Sequence, residues 1–337
     1  MGAVGEFEYR YNMTIKTFPS HAEPGFESPE QQEEVWGRRW GCDNDVGRLR
    51  MVLMHRPGDE MTIVDPSKRL EHLGSFGDAE GQTWYWRGDS ITPLEVQQAQ
   101  HDGLAEALRK EGVEVVYLAR CAPGRHKSIY TRDSCIAVKG GAIVTRLGPI
   151  VRRGEEAPVT ETLAKVGMPI LRTIHGTGLM EGGSFVWLNP RTAVIGRSSR
   201  VNEEGTRQVE EVLNAQGVEL LRVDLTGYRL HIDGALVMIG VDTAIINPTQ
   251  LPFWFLGKLQ ELGIRTIEVH PDDPSGVVNC IAVRPGRVLM QAGASPRTAE
   301  ALDRLGIEIV PVEYEGVFQG GGGIHCSTSP LIRDPVE

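Results

Sequence analysis

The chain has 337 residues, and 35 basic against 45 acidic side chains leave a formal net charge of −10. With 40% hydrophobic and 24% charged residues, it reads as a folded globular protein of one large or two ordinary domains, not a disordered one. The acidic balance argues against non-specific nucleic-acid binding, which depends on Lys and Arg neutralising phosphates. No apolar run approaches the roughly 20 residues that span a bilayer.

In chain order, residues 1–40 read as an N-terminal arm with Pro-containing, acidic stretches. Residues 1–11 lack the basic start and apolar core of a secretory signal, so a cytoplasmic location is expected. The five cysteines (Cys42, Cys121, Cys135, Cys280, Cys326) are odd in number, widely spaced and without a C-x-x-C pair. That pattern favours free thiols over a zinc site or disulfide framework.

A repeat begins at the apolar strand 51–54. An insertion over about residues 60–92 follows, whose Trp84-Tyr85-Trp86 cluster is a candidate lid or oligomer contact, against ordinary packing. Next comes a helix patterned by Val96, Ala99, Leu104, Ala107 and Leu108, then Gly112 and a strand at 113–116. Strand pairs follow at 135–138 with 142–145, 185–188 with 193–195, 235–239 with 244–246, and 280–283 with 288–290. Each leads through a helix to a glycine (Gly167, Gly217, Gly263, Gly306) and a third strand. The glycines stand where helices place a left-handed C-terminal cap. The unit is therefore strand–strand–helix–strand, repeated five times at intervals of about 43 to 55 residues. Such units cannot each bury an apolar face alone, so a shared core is expected. A five-bladed, pseudo-symmetric α/β propeller is the economical arrangement, with an open α/β sandwich as the alternative. Residues 41–337 are then expected to form a single domain.

Thr131-Arg132-Asp133-Ser134-Cys135, Glu181-Gly182-Gly183-Ser184-Phe185 and His231-Ile232-Asp233-Gly234-Ala235 fall in register, 50 residues apart. Asp133 and Asp233 share one position before a strand, and Glu181 and His231 share another. In a ring, equivalent strand entrances face one centre, so these residues should converge into a site for a cation. Taken singly, each has a plainer reading: a turn or cap aspartate, a solvated loop glutamate, a structural histidine. The common register is what those readings do not predict. After the fifth unit, Gly320-Gly321-Gly322-Gly323 leads into Ile324-His325-Cys326-Ser327-Thr328. It is not a P-loop, since no Lys-Ser or Lys-Thr follows the glycines. A cysteine behind bare backbone, near a histidine of another unit, suits a nucleophilic thiolate.

These residues resemble the guanidino-group-modifying enzymes, which comprise arginine deiminases, agmatine deiminases, dimethylargininases and amidinotransferases. The resemblance covers about residues 41 to 330. It rests on Leu53-Met54-His55-Arg56-Pro57-Gly58, Thr131-Arg132-Asp133, Glu181-Gly182-Gly183, His231-Ile232-Asp233 and His325-Cys326. It implies a five-bladed α/β propeller, Cys326 as nucleophile and His231 as general acid and base. It also implies Asp133 and Asp233 clamping the guanidinium, with Glu181 beside the histidine, and neither metal nor organic cofactor. The expected reaction is hydrolysis of L-arginine or a close relative through a covalent amidino-cysteine, giving a ureido product and ammonia. The alternative is an amidinotransferase passing the amidino group to an amine; a guanidine-binding protein without turnover is a third reading.

The His55-Arg56-Pro57-Gly58 stretch looks most like arginine deiminases, whereas the glycine approach to Cys326 resembles agmatine deiminases and amidinotransferases. Arg152 and Arg200 match positions that hold the substrate carboxylate in arginine deiminases and dimethylargininases. Lys127 stands where arginine deiminases look to have an asparagine. The expected partner is a small guanidino substrate, with no nucleic acid and no membrane. A homo-oligomer is left open, with the arm as one candidate contact.

Overall fold

Strands form wherever the repeat carries a short run of Val, Ile and Leu between turn glycines. The computed structural model describes residues 4–17, 28–78, 86–226 and 228–336. Unit two has an inner strand Cys135–Val138, a central strand Gly141–Val144, a helix Glu156–Val166 and an outer strand Ile170–Thr173. Unit three runs through Phe185–Asn189, Thr192–Arg197, helix Glu203–Ala215 and Glu219–Asp224. Unit four runs through Leu236–Gly240, Thr243–Ile246, helix Phe253–Glu261 and Arg265–Glu268. Unit five runs through Ile281–Arg284, Arg287–Gln291, helix Pro296–Asp303 and Glu308–Val312. In each, inner and central strands pair antiparallel across a tight turn, while central and outer strands pair parallel. The parallel pairing requires a crossover, and the helix supplies it.

All five helix ends close in the same way. Gly112, Gly167, Gly217, Gly263 and Gly306 have φ of 82°, 87°, 69°, 72° and 70°. The apolar residue after each glycine donates its N–H to the carbonyl of a leucine five residues back, as from Val113 to Leu108 and from Ile264 to Leu259. That 6→1 bond over a left-handed glycine is the Schellman arrangement, which satisfies an orphan carbonyl and turns the chain into the outer strand.

Unit one departs from the sequence expectation. Its central strand Leu49–Met54, helix Leu94–Lys110 and outer strand Glu114–Tyr117 are local, but its inner strand is Ser329–Arg333 from the far end of the chain. The pairing is antiparallel, Leu53 opposite Ser329 and Leu49 opposite Arg333. No turn joins these strands, so local pattern gave no sign of it. Arg50 reinforces the closure with a bidentate pair to Asp334 at 2.6–3.0 Å. A sixth, minor three-stranded sheet (Arg69–Leu70, Ser75–Phe76, Trp86–Arg87) lies in the insertion. There Trp86 is buried with Met61, Val64 and Phe76; Trp84 and Tyr85 lie outside the described residues.

The architecture is thus an α/β fold of repeated three-stranded sheet and helix units. Neighbouring units meet through their inner strands: unit one against two, three against four, and four against five; the inner strand of unit five also touches the central strand of unit one. Inner strands are accordingly buried along both faces, as in Leu236–Gly240 and Ser329–Arg333, whereas outer strands such as Arg265–Glu268 are largely exposed. Double-sided burial is why the inner strands of units two to five read as near-continuous apolar runs. The arm holds helices Glu6–Tyr11 and Pro29–Trp36, with Phe7 and Tyr9 exposed. Among the described residues no helix is long and apolar enough to cross a membrane.

Candidate active site

Three short 3-10 turns, Thr131–Ser134, Gly182–Ser184 and Ile232–Gly234, stand just before the inner strands of units two, three and four. The turns pack on one another in sequence. Glu181 and His231 occupy the same place in their turns with matching backbone, φ/ψ −120°/130° and −130°/146°. The packing leaves no room for side chains between them. A Cβ on Gly182 would lie 2.1 Å from the Arg132 carbonyl oxygen. One on Gly183 would lie 2.6 Å from Asp133 Oδ1 and 3.0 Å from His231 Nδ1.

His231 Nε2 sits 2.6 Å from Glu181 Oε2, and its Nδ1 lies 3.5 Å from Asp133 Oδ1. Burial opposes a charged imidazole, but Asp133, Glu181 and Asp233 outweigh it and push the His231 pKa up to about 9. Glu181 is fully buried. Burial works to raise its pKa, yet His231, Arg152 and Arg200 hold it down at about 2. Its Oε1 also accepts the Gly148 N–H at 2.9 Å. Asp133 accepts the Gly183 N–H at 3.1 Å on one oxygen and Arg152 Nη1 at 2.5 Å on the other.

Cys326 lies at the entrance of the Ser329–Arg333 strand, the place in unit one that the turns hold in units two to four. It is nearly buried, at 8% exposure. Its Sγ donates toward Asp233 Oδ2 at 3.4 Å and receives Asn279 Nδ2 at 3.2 Å, while its backbone N–H reaches Asn279 Oδ1 at 3.2 Å. Burial, Asp233 and Asp133 drive the thiol pKa well above its ordinary value. Asp233 Oδ2 also faces His325 Nδ1 at 2.9 Å. Burial works to raise the Asp233 pKa, but His325, His231 and Arg132 hold it at about 2.

Cys326, His231, Asp133, Asp233, Arg152 and Arg200 all line one cavity of about 790 Å³, with Glu181 immediately behind it on His231. Arg152 is buried between Asp133 and Glu155, 2.8 Å from Glu155 Oε2, and Arg200 Nη1 lies 3.2 Å from Glu181 Oε2. Both guanidinium groups are thus engaged by the protein's own carboxylates. Donor atoms of Asp133, Glu181 and His231 come within 4.8 Å of one another, as do those of His55, Glu60 and Cys121 at the end of the unit-one sheet. At the first trio the charges of Arg152 and Arg200 work against a metal cation.

Sequence reasoning passed over Asn279, and gave no role to His325 or Arg132, whose guanidinium lies against the His325 ring. Asn279 stands two residues before its inner strand, as Asp133 does, so the register carried into unit five points to it once the strand is started at Ile281. Lys127, Arg87 and Arg229, which also line the cavity, come from separate segments that no spacing rule connects.

Comparison with known proteins agrees with this geometry. The profile of the family described as N,N dimethylarginine dimethylhydrolase, eukaryotic, matches residues 89–333. The chain belongs to that family. It is therefore a guanidino-group-modifying enzyme of the type that includes dimethylargininases, arginine deiminases and amidinotransferases. A dimethylarginine dimethylaminohydrolase of Pseudomonas aeruginosa is 29% identical over 229 residues, covering 67% of this chain and 85% of that protein. An arginine deiminase of Rhodococcus erythropolis is 22% identical over 413 aligned positions, covering 88% and 98%. Both branches are thus represented, and closeness to arginine deiminases in particular is not singled out. In structure, the P. aeruginosa enzyme complexed with citrulline superposes with a TM-score of 0.68 at 23% identity, covering 85% of this chain and 100% of that one. The inosamine-phosphate amidinotransferase of Streptomyces griseus gives a TM-score of 0.69 at 15% identity, covering 89% and 98%. At those identities the likeness is one of fold.

Proposed function

We propose that this dimethylarginine dimethylhydrolase family member hydrolyses a C–N bond of a guanidino substrate, L-arginine or a close relative, through a covalent amidino-cysteine at Cys326. The observation that carries the reading is the cavity in which the Cys326 thiol lies 3.4 Å from Asp233 and shares the wall with His231, which Glu181 backs. The closed five-bladed ring and the single catalytic domain over 41–337 belong to the same proposal; contact between units five and one supports the ring.

A guanidinium is a planar cation whose N–H edges match carboxylates. Asp133 and Asp233 receive it, since each carboxylate accepts about four hydrogen bonds and neither is filled by the contacts above. The cation reverses the balance that keeps the thiol protonated: positive charge beside Sγ favours the thiolate, and its proton leaves to solvent as substrate enters. Thiolate attack on the guanidino carbon gives a tetrahedral adduct. His231, protonated in the free site, donates its proton to the departing nitrogen, leaving an amidino-thioether and a neutral imidazole. Water then attacks the same carbon while His231 takes its proton, and the C–S bond breaks to release the ureido product and the thiolate. General acid–base help of this kind contributes roughly 10²–10⁴-fold.

A second reading, transfer of the amidino group to an amine, is favoured by the size of the cavity, which has room beside a bound guanidine. Mass spectrometry after incubation with L-arginine, N,N-dimethylarginine and an added amine tests both. Citrulline supports the hydrolase, with ammonia or dimethylamine naming the leaving group; ornithine formed only with the amine supports transfer. Turnover that survives in Cys326→Ser would overturn both.

A further inference from the structure

The His55-Arg56-Pro57-Gly58 stretch has no part in the chemistry above, yet the fold gives it a defined setting. Strands Leu49–Met54 and Glu114–Tyr117 pair parallel, Met54 opposite Tyr117, and Leu118 donates its N–H to the Met54 carbonyl at 3.1 Å. Both segments therefore leave the sheet at the same end, and the loops that follow bring His55, Glu60 and Cys121 together. One donor atom from each lies within 4.8 Å of the other two. His55 Nε2 is 2.9 Å from Glu60 Oε1, which also accepts the Gly58 N–H at 2.8 Å. Cys121 Sγ donates toward the carbonyls of Ala122 at 3.4 Å and Arg125 at 3.8 Å.

An imidazole nitrogen, a carboxylate oxygen and a thiol sulfur are the three donor types that zinc takes. Bonds of roughly 2.0–2.3 Å put the donors of a tetrahedral site about 3.5 Å apart, so side-chain rotation closes these three on one ion. As thiolate, carboxylate and neutral imidazole they carry two negative charges, which match a divalent cation. The trio of Asp133, Glu181 and His231 lacks that match, because Arg152 and Arg200 bind its carboxylates. Among the described residues Glu60 pairs with His55 and with no Lys or Arg. Behind the motif lies helix Leu94–Lys110, whose Gln98 and Asp102 bond Pro57 and Arg56. Its His101 is fully buried, and neither ring nitrogen has a hydrogen-bond partner among the described residues. Burial and then the His55 charge hold the His101 pKa down at about 3, so this ring is an uncharged base that adds no repulsion to a cation. The His55 and Glu60 side chains keep 12% and 7% exposure, and Cys121 is half-buried. An ion thus reaches the donors from solvent, and three protein ligands leave a fourth position for water.

We propose that His55, Glu60 and Cys121 form a binding site for a zinc-class divalent cation, separate from the guanidine cavity and independent of the reaction assigned to it. A proton competes for the site. Burial opposes a charged His55, but Cys121 and Glu60 outweigh it and push the pKa up to about 9, so binding releases protons. The bound ion ties down the start of the loop that carries Lys127 and Tyr130 into the cavity wall. It also fixes the turn Asp59–Ile63, which packs on the turn His126–Ile129 of that loop.

The test uses the full chain with Cys326→Ser and His231→Gln, which takes the cavity thiol and one donor of the other trio out of contention. Zn²⁺ is titrated by calorimetry and Co²⁺ by absorption, both under a non-thiol reductant. Expected is one ion per chain, with the sulfur-to-cobalt charge-transfer band of a thiolate ligand and the strong visible bands of a tetrahedral site. Cys42, Cys135 and Cys280 are buried, so that band reports Cys121. Adding Cys121→Ser should abolish the band and weaken Zn²⁺ about 100-fold or more, since even an outer-shell partner is worth roughly 10–100-fold. Glu60→Gln should weaken Zn²⁺ to a similar degree, and it serves alone if Cys121→Ser does not fold. Zn²⁺ should also raise the melting temperature of the starting protein but of neither variant. No stoichiometric binding at micromolar Zn²⁺, cobalt bound without the charge-transfer band, or affinity unchanged by Cys121→Ser or Glu60→Gln would overturn the inference. Binding that appears only when Cys326 and His231 are restored would do the same, by moving the metal to the guanidine cavity.

Discussion

Glu181→Gln isolates the electrostatics of the histidine. Gln has the same shape and keeps an oxygen for the Gly148 N–H, held at 2.9 Å, but it removes the charge 2.6 Å from His231 Nε2. The pKa of His231 stands at about 9 against an ordinary 6.5, roughly 3.4 kcal/mol at 1.36 kcal/mol per pH unit. Asp133 and Glu181 are the main contributors on the raising side. Removing one of the two should lower the midpoint by about one pH unit, ~1.4 kcal/mol. The readout is an NMR titration of the His231 ring in a Cys326→Ser background, which removes the thiol's own titration. An unchanged midpoint would refute the claim that the Glu181 charge holds the imidazole protonated. The same pair contributes to stability with a definite sign. His231 has a folded value above its unfolded one, so its share is full below about 6.5 and lost as pH rises through about 9. Glu181 contributes above about 4.5, and that share is lost as pH falls through about 2. Wild type should therefore melt highest between those limits, and the drop in melting temperature caused by Glu181→Gln should be largest inside the same window.

Three further outcomes are expected. Asn279→Ala should fold but lose about 10- to 100-fold in kcat/KM, because the Cys326 N–H and Sγ both lose a partner; an undiminished rate of Cys326 alkylation and of turnover would contradict this. Gly182→Ala forces a Cβ to within 2.1 Å of the Arg132 carbonyl and should cost about 1–3 kcal/mol in urea unfolding, while alanine at the open, helical Gly257 should stabilise by about 0.5–1 kcal/mol. Ending the chain after residue 328 removes the inner strand of unit one and should abolish cooperative thermal unfolding, read by calorimetry; a wild-type transition would show that strand to be dispensable.

The fold was legible where its cause is local. The five glycine-capped helix ends and the hairpins between apolar runs are set by neighbouring residues, and they stand where pattern placed them. Asp133, Glu181, His231 and Asp233 were legible because a repeat converts sequence register into spatial equivalence. Asn279 escaped because its strand starts at Ile281, one residue later than the apolar run suggests. Cys326 was read as following the fifth unit, whereas it precedes the inner strand of the first, since strand pairing across the whole chain leaves no turn signature. The Arg152–Asp133 contact was illegible for a related reason: a buried cation is placed by the cavity around it, and no short-range periodicity encodes a cavity.

The Ser329–Arg333 strand has a kinetic consequence. Pairing Leu53 with Ser329 closes a loop over residues 53–329, and closure entropy grows with loop length, so this contact belongs among the latest to form. Cys326 stands three residues upstream of that strand, its carbonyl bound by the Arg132 N–H. A partly folded molecule with units two to four in place already presents Asp133, Glu181, His231 and Asp233, yet its sulfur is still unanchored. Under the proposed mechanism, chemical competence therefore arrives with the last long-range step, and trapped intermediates stay inert toward guanidines.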